Sequence, residues 1–81
     1  MLIDIITPDK TVFSGEAVSA TFPGTDGSFQ VLNNHAPLIS TLDKGRIVVK
    51  TATGEQNWTV DGGVVEVLDN KVTVLAEAIT A

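Results

Sequence analysis

The chain has 81 residues, 43% of them hydrophobic, with ten acidic against five basic side chains, a net charge of −5, no cysteine and one histidine. A chain of this length makes one small domain, residues 1–81, held by apolar packing or by a partner, since disulfide staples and cysteine-based metal sites are excluded. The acidic balance has the wrong sign for a protein bound to nucleic acid by counterion release, and no apolar run approaches the ~20 residues of a membrane-spanning helix.

The first strand-like segment, Leu2 to Ile6, follows Met1 directly and leaves no room for the charged and apolar regions of a secretory signal, so a cytoplasmic location is expected. From there, turn signals recur along the chain at Pro8-Asp9, Ser14-Gly15, Pro23 to Gly27, Asn33-Asn34, Asp43 to Gly45, Thr53-Gly54, Asp61 to Gly63 and Asp69-Asn70. Gaps of about 8 to 12 residues between turns are what a sandwich or barrel of short strands produces.

The segments alternate with a period of two, as strands do when one face is buried and the other wet. Val18, Ala20 and Phe22 are expected to point inward, with Ala17, Ser19 and Thr21 outward. Ile47 and Val49 oppose Arg46 and Lys50, Trp58 and Val60 oppose Asn57 and Thr59, and Val72, Val74 and Ala76 oppose Lys71, Thr73 and Glu77. Val48, Val64, Leu68 and Leu75 break the pattern by falling on polar faces, which points to a second packed layer or to an interface. The pattern predicts an all-β fold, a sandwich or flattened barrel of about eight to ten short antiparallel strands. Lys44, Arg46 and Lys50 spread along one strand and read as a solvated face.

Reaction chemistry finds little footing. His35 is the only histidine, the residue type a general base near neutral pH would use, and its surroundings, Asn33-Asn34-His35-Ala36-Pro37, read as a loop without a nucleophile elbow. Its ring nitrogens are expected to bond loop backbone and hold the turn. The carboxylates are scattered one per segment rather than grouped as in a calcium loop, and Gly24-Thr25-Asp26-Gly27 is a short acidic hairpin without the lysine of a phosphate-binding loop. No catalytic residue, cofactor or metal is therefore expected. Loops and outward apolar groups suit a binding module, and a stand-alone small β-barrel carrier is the alternative. A biotinyl-type carrier needs a lysine flanked by methionines, whereas the one methionine here is Met1.

Three blocks carry a resemblance to a known family. Phe13-Ser14-Gly15 comes first. Gly27-Ser28-Phe29 through Asn34-His35-Ala36-Pro37-Leu38-Ile39, followed by Leu42 and Gly45, comes second. The third is Gly62-Gly63-Val64-Val65-Glu66-Val67 with Val72-Thr73-Val74-Leu75-Ala76-Glu77. In this order and spacing the chain resembles the N-terminal β-sandwich of the epsilon subunit of F-type ATP synthases, in a short form without the C-terminal helical hairpin. Gln30 stands where the family often has glycine, and Asn33-Asn34 where it has Pro-Gly. Asn34 can supply the positive φ such a turn needs.

The resemblance implies a non-catalytic central-stalk subunit that couples rotation of the c-subunit ring to the gamma subunit, peripheral to the cytoplasmic face of the inner (plasma) membrane. It implies that the loop with Asp26, Gly27, Ser28 and Phe29 faces the ring. It also implies that His35, Ala36, Pro37 and Leu38, with Thr7 and Ser40, face gamma. The inhibitory and ATP-binding roles of the family's helical hairpin are not carried over.

Overall fold

The computed structural model describes residues 1–80. It contains ten strands: β1 (Leu2–Ile6), β2 (Thr11–Glu16), β3 (Ser19–Gly24), β4 (Gly27–Leu32), β5 (Leu38–Leu42), β6 (Gly45–Thr51), β7 (Gly54–Val60), β8 (Gly63–Leu68), β9 (Lys71–Ala76) and β10 (Ile79–Thr80). Their order is β10-β7-β6-β3-β5-β8-β9-β1-β2, with β4 on the side of β3. The sheet folds over at β3, which pairs with β6 through Ser19 to Thr21 and with β5 only where Gly24 meets Leu42. Its two ends then meet through side chains, with the Phe13 and Trp58 rings 5.4 Å apart. The product is an all-β flattened barrel.

Period-two alternation builds the core. Ile3 and Ile5, Ile47 and Val49, Val65 and Val67, and Val72 and Val74 are all buried, together with Phe22, Val31 and Val60. Turn chemistry fixes the register. Asp69 and Asn70, both at positive φ, form the two-residue connection of the β8–β9 hairpin, the backbone a type I′ turn requires. Asn34 stands at φ 63, as its place in the Asn33-Asn34 turn predicts.

Four sequence expectations are corrected. Ser14-Gly15 is no turn but the middle of β2, where Gly15 pairs with Ile3 and the Ser14 hydroxyl donates to Asp4 Oδ1 at 2.6 Å. The break comes instead at Ala17-Val18, and this bend shifts the alternation. Val18 is thereby turned out to 50% exposure, while Ala17 and Ser19 are buried. Last, the strands are not all antiparallel, because β1 runs parallel to β9 from Leu2 beside Lys71 to Ile6 beside Leu75. A parallel pair needs a long crossover, and here most of the chain supplies it.

Candidate functional site

The β3–β4 hairpin closes through Thr25 and Asp26, with Gly24 opposite Gly27. A Cβ at Gly24 would lie 2.7 Å from the Gly27 carbonyl oxygen, so the crossing backbones need glycine there. The tip is clamped to the end of β5. Thr25 N–H donates to the Thr41 carbonyl at 3.1 Å, the two threonine hydroxyls are 2.8 Å apart, and Asp43 N–H donates to the Pro23 carbonyl at 2.8 Å. Asp26, Gly27 and Ser28 are exposed on this clamped tip. Phe29 is different: half-buried, it packs on the core with its ring 5.6 Å from that of Phe22.

His35 sits at the opposite end of the strands. Its backbone N–H donates to the Leu32 carbonyl at 3.2 Å, and its Nδ1 lies 2.7 Å from the Ala36 carbonyl, so Nδ1 carries the donated proton. The ring thus braces the turn that Asn70 also holds, by accepting from Asn34 N–H at 2.7 Å. Ala36 and Pro37 are exposed beyond it, and Leu38 is half-buried against the core. His35, Leu38 and Ser40 share a shallow depression with Phe29 and Gln30.

Thr7 does not join them. It belongs to the turn between β1 and β2, where its N–H donates to the Lys10 carbonyl at 2.9 Å and its hydroxyl accepts from Lys10 N–H at 3.3 Å. Ile6 pairs with Leu75, Gly63 with Ala76, Leu42 with Gly63 and Gly24 with Leu42, so Thr7 lies at the same end as the Asp26 tip.

Between these two ends runs an outer face that holds none of the candidate site residues, though Ile39, Val64, Glu66, Thr73 and Leu75 of the motif blocks stand on it. Register places Thr41, Val64, Leu75 and Ile6 in one row across β5, β8, β9 and β1. The next row is Ile39, Glu66, Thr73 and Asp4. Leu68, Lys71 and Leu2 follow below. Ile39 is 72% exposed and Leu75 55%, and Val64 lies between them. Alternation alone signalled Val64, Leu68 and Leu75. Ile39 and Ile6 join them only through long-range pairing, which no local pattern reveals. Outside β6 and β7 the picture differs, with Arg46, Lys50, Glu55 and Asn57 exposed and Val48 and Thr59 half-buried among them. Among the described residues no group of three or more histidine or carboxylate side chains is placed to hold a metal ion.

Residues 1–81 match the family model of the ATP synthase delta/epsilon chain β-sandwich domain. The chain belongs to this family. An ATP synthase epsilon chain from Salinibacter ruber is 40% identical across 98% of this chain and 59% of its own length. One from Chlorobium limicola is 39% identical across 96% of this chain and 90% of its own. A third, from Nitratidesulfovibrio vulgaris, is 46% identical across 94% and 57%. The chain thus spans little more than half of two of these epsilon chains and most of the third. Solved structures share the fold. A chain in the mitochondrial ATP synthase of Euglena gracilis, solved with its c-ring, superposes with TM-score 0.92 at 19% identity, over 99% of this chain and 52% of that one. A chain in the central stalk and c-ring of the Tetrahymena thermophila mitochondrial enzyme gives 0.87 at 17% identity, over 99% and 65%.

Proposed function

We propose that this chain is a non-catalytic rotor subunit of a proton-translocating F-type ATP synthase, joining the c-subunit ring to the gamma subunit so that rotation of one turns the other. One observation carries the reading above all: the family match runs from residue 1 to residue 81. A single sandwich domain fills the chain under this reading. It lies at the cytoplasmic face of the inner (plasma) membrane, held there through the complex rather than by insertion. The work it does is mechanical.

Transmitting torque requires a body that does not shear, and a close-packed core of low compressibility is such a body. The exposed tip formed by Asp26, Gly27 and Ser28 rests on the ring, and its clamp to Thr41 passes the load into β5. Phe29 anchors the tip from inside through Phe22. Thr7, His35, Ala36, Pro37, Leu38 and Ser40 meet gamma. Pro37, with its fixed φ, loses little conformational freedom on docking.

Mixed with the gamma subunit from the same source, the chain is expected to elute as a one-to-one complex in size exclusion and to release or absorb heat on titration. A folded chain that forms no complex would sink the rotor reading. Asp26→Lys is expected to lower ATP-driven proton pumping in reconstituted membranes while leaving thermal unfolding unchanged. Wild-type pumping by that variant removes Asp26 from the ring contact.

A further inference from the structure

We infer that the seam where the two ends of the curled sheet meet holds a binding site for a small organic cation of the guanidinium or alkylammonium class, with Trp58 as its aromatic wall and Glu77 and Asp9 as its counter-charges. The inference does not depend on the rotor reading. The seam exists because β2 and β7 meet through the Phe13 and Trp58 rings, 5.4 Å apart and tilted by 54°, rather than through backbone pairing. Toward the β1–β2 turn it opens into a hollow of about 370 Å³. Val12, Trp58 and Ile79, all half-buried, form the apolar part of its lining, and Asp9, Lys10 and Glu77, all exposed, form a charged rim.

Three observations choose the ligand. The first is the mixed lining. A hollow of this size falls within the roughly 300–1,000 Å³ of ligand sites, and an apolar wall with a few convergent polar groups is how such sites hold an orientation. The second is the indole, which of the aromatic rings attracts a cation most strongly through its negative face. The third is charge. Asp9 and Glu77 against Lys10, two acids and one base, leave the rim at net −1, and Asp61, whose N–H donates to the Ala78 carbonyl at 3.2 Å, brings a further acid beside it. Among the described residues the ion pairs join Met1 to Glu16 and Lys71 to Asp4, so the rim carboxylates are not spent on each other's neighbours. Ligands that carry phosphate or carboxylate are repelled by the same rim.

Glu77 is held in place for this task. Its N–H donates to the Gly62 carbonyl at 3.1 Å, and its carboxylate lies down on Gly62, where a Cβ would stand 3.5 Å from Oε2. Gly62 sits at φ 145, a backbone conformation that favours glycine, so the bare backbone there gives the carboxylate its bed. A side chain already laid against the rim loses less freedom when a ligand arrives. A guanidinium stacked on the indole presents its N–H groups in its own plane, and a carboxylate at the edge of the ring can accept two of them.

Trp58 is the only tryptophan, so its emission reports on the site directly. The whole chain is titrated with butylguanidinium chloride and, separately, with butylurea, its uncharged isostere, at constant ionic strength, with circular dichroism to check folding. Butylguanidinium is expected to change Trp58 emission along a saturating curve, and butylurea to leave it unchanged. Glu77→Gln is expected to weaken binding roughly threefold or more. Glu66→Gln removes the same charge from the outer side of β8 and is expected to bind as the wild type does. Trp58→Leu, followed through the NMR signals of the ligand, is expected to lose binding; should that variant unfold, the contrast between Glu77→Gln and Glu66→Gln still decides. A wild-type response that climbs without saturating is a solvent effect and overturns the site. An equal response to butylurea makes the hollow an alkyl site and overturns the choice of a cation, as does equal binding by Glu77→Gln and the wild type. If butylguanidinium does not bind and Glu77→Gln instead weakens the complex with gamma, the hollow is a protein contact, the inference is overturned and the rotor reading stands.

Discussion

Strand β8 has two sides that share one backbone and differ in everything else. Its inner residues, Val65 and Val67, are buried and belong to the core, while its outer residues, Val64, Glu66 and Leu68, are exposed. Folding accounts for the inner side completely, since those methyl groups have nowhere else to go. It does not account for the outer one. Outside β6 and β7 the same sheet shows charge and amide, so an apolar outer side is no requirement of the fold. The difference separates residues that hold the domain together from residues that await something.

Breaking the inner side should have the largest effect. Phe22→Ala deletes a fully buried ring that also supports Phe29, at a cost of about 3–5 kcal/mol. A small domain holds a margin near the low end of 5–15 kcal/mol, so urea titration should find this variant largely unfolded or close to it. A native-like midpoint would mean that the core closes over the cavity. Neighbouring valines sharpen the contrast. Val65→Thr puts a hydroxyl into a dry core and should cost roughly 1–3 kcal/mol, whereas Val64→Thr should stay within about 0.5 kcal/mol. Equal midpoints for the two would erase the distinction between the faces. A small effect is also expected at the outer ion pair, where Lys71→Ala should change stability by a few tenths of a kcal/mol, about 0.5 at most, and progressively less as salt is added.

Much of this was legible in the sequence because short-range physics wrote it there. Alternation found Ile47, Val49, Val72 and Val74, and turn residues found the β8–β9 connection at Asp69-Asn70. Ser14-Gly15 misled because glycine within a strand and glycine in a turn look alike locally. Only the pairing of Gly15 with Ile3 separates them. Val18 misled because a bend resets the alternation without any proline to announce it. The parallel partnership of β1 with β9 left no local trace, nor did the joining of Ile39 and Ile6 to Val64 and Leu75. Both depend on which distant strands become neighbours. For the proposed contacts, the candidate site residues supplied points at the two ends of the domain, and the folded register showed which residues lie between them.

The parallel pairing of β1 with β9 also bears on how the protein is made. Leu2 lies beside Lys71, so Ile3 and Ile5 lack their final neighbours until the segment around Val72 and Val74, some seventy residues later, has emerged. At ribosomal rates of about 5–20 residues per second, that wait lasts several seconds. Contacts so distant in sequence close slowly, since loop-closure entropy is lost before any burial rewards it. The nascent chain therefore carries β1 as a sticky strand until β9 follows it, and Asp4, set between those two isoleucines, is the charge that interrupts it.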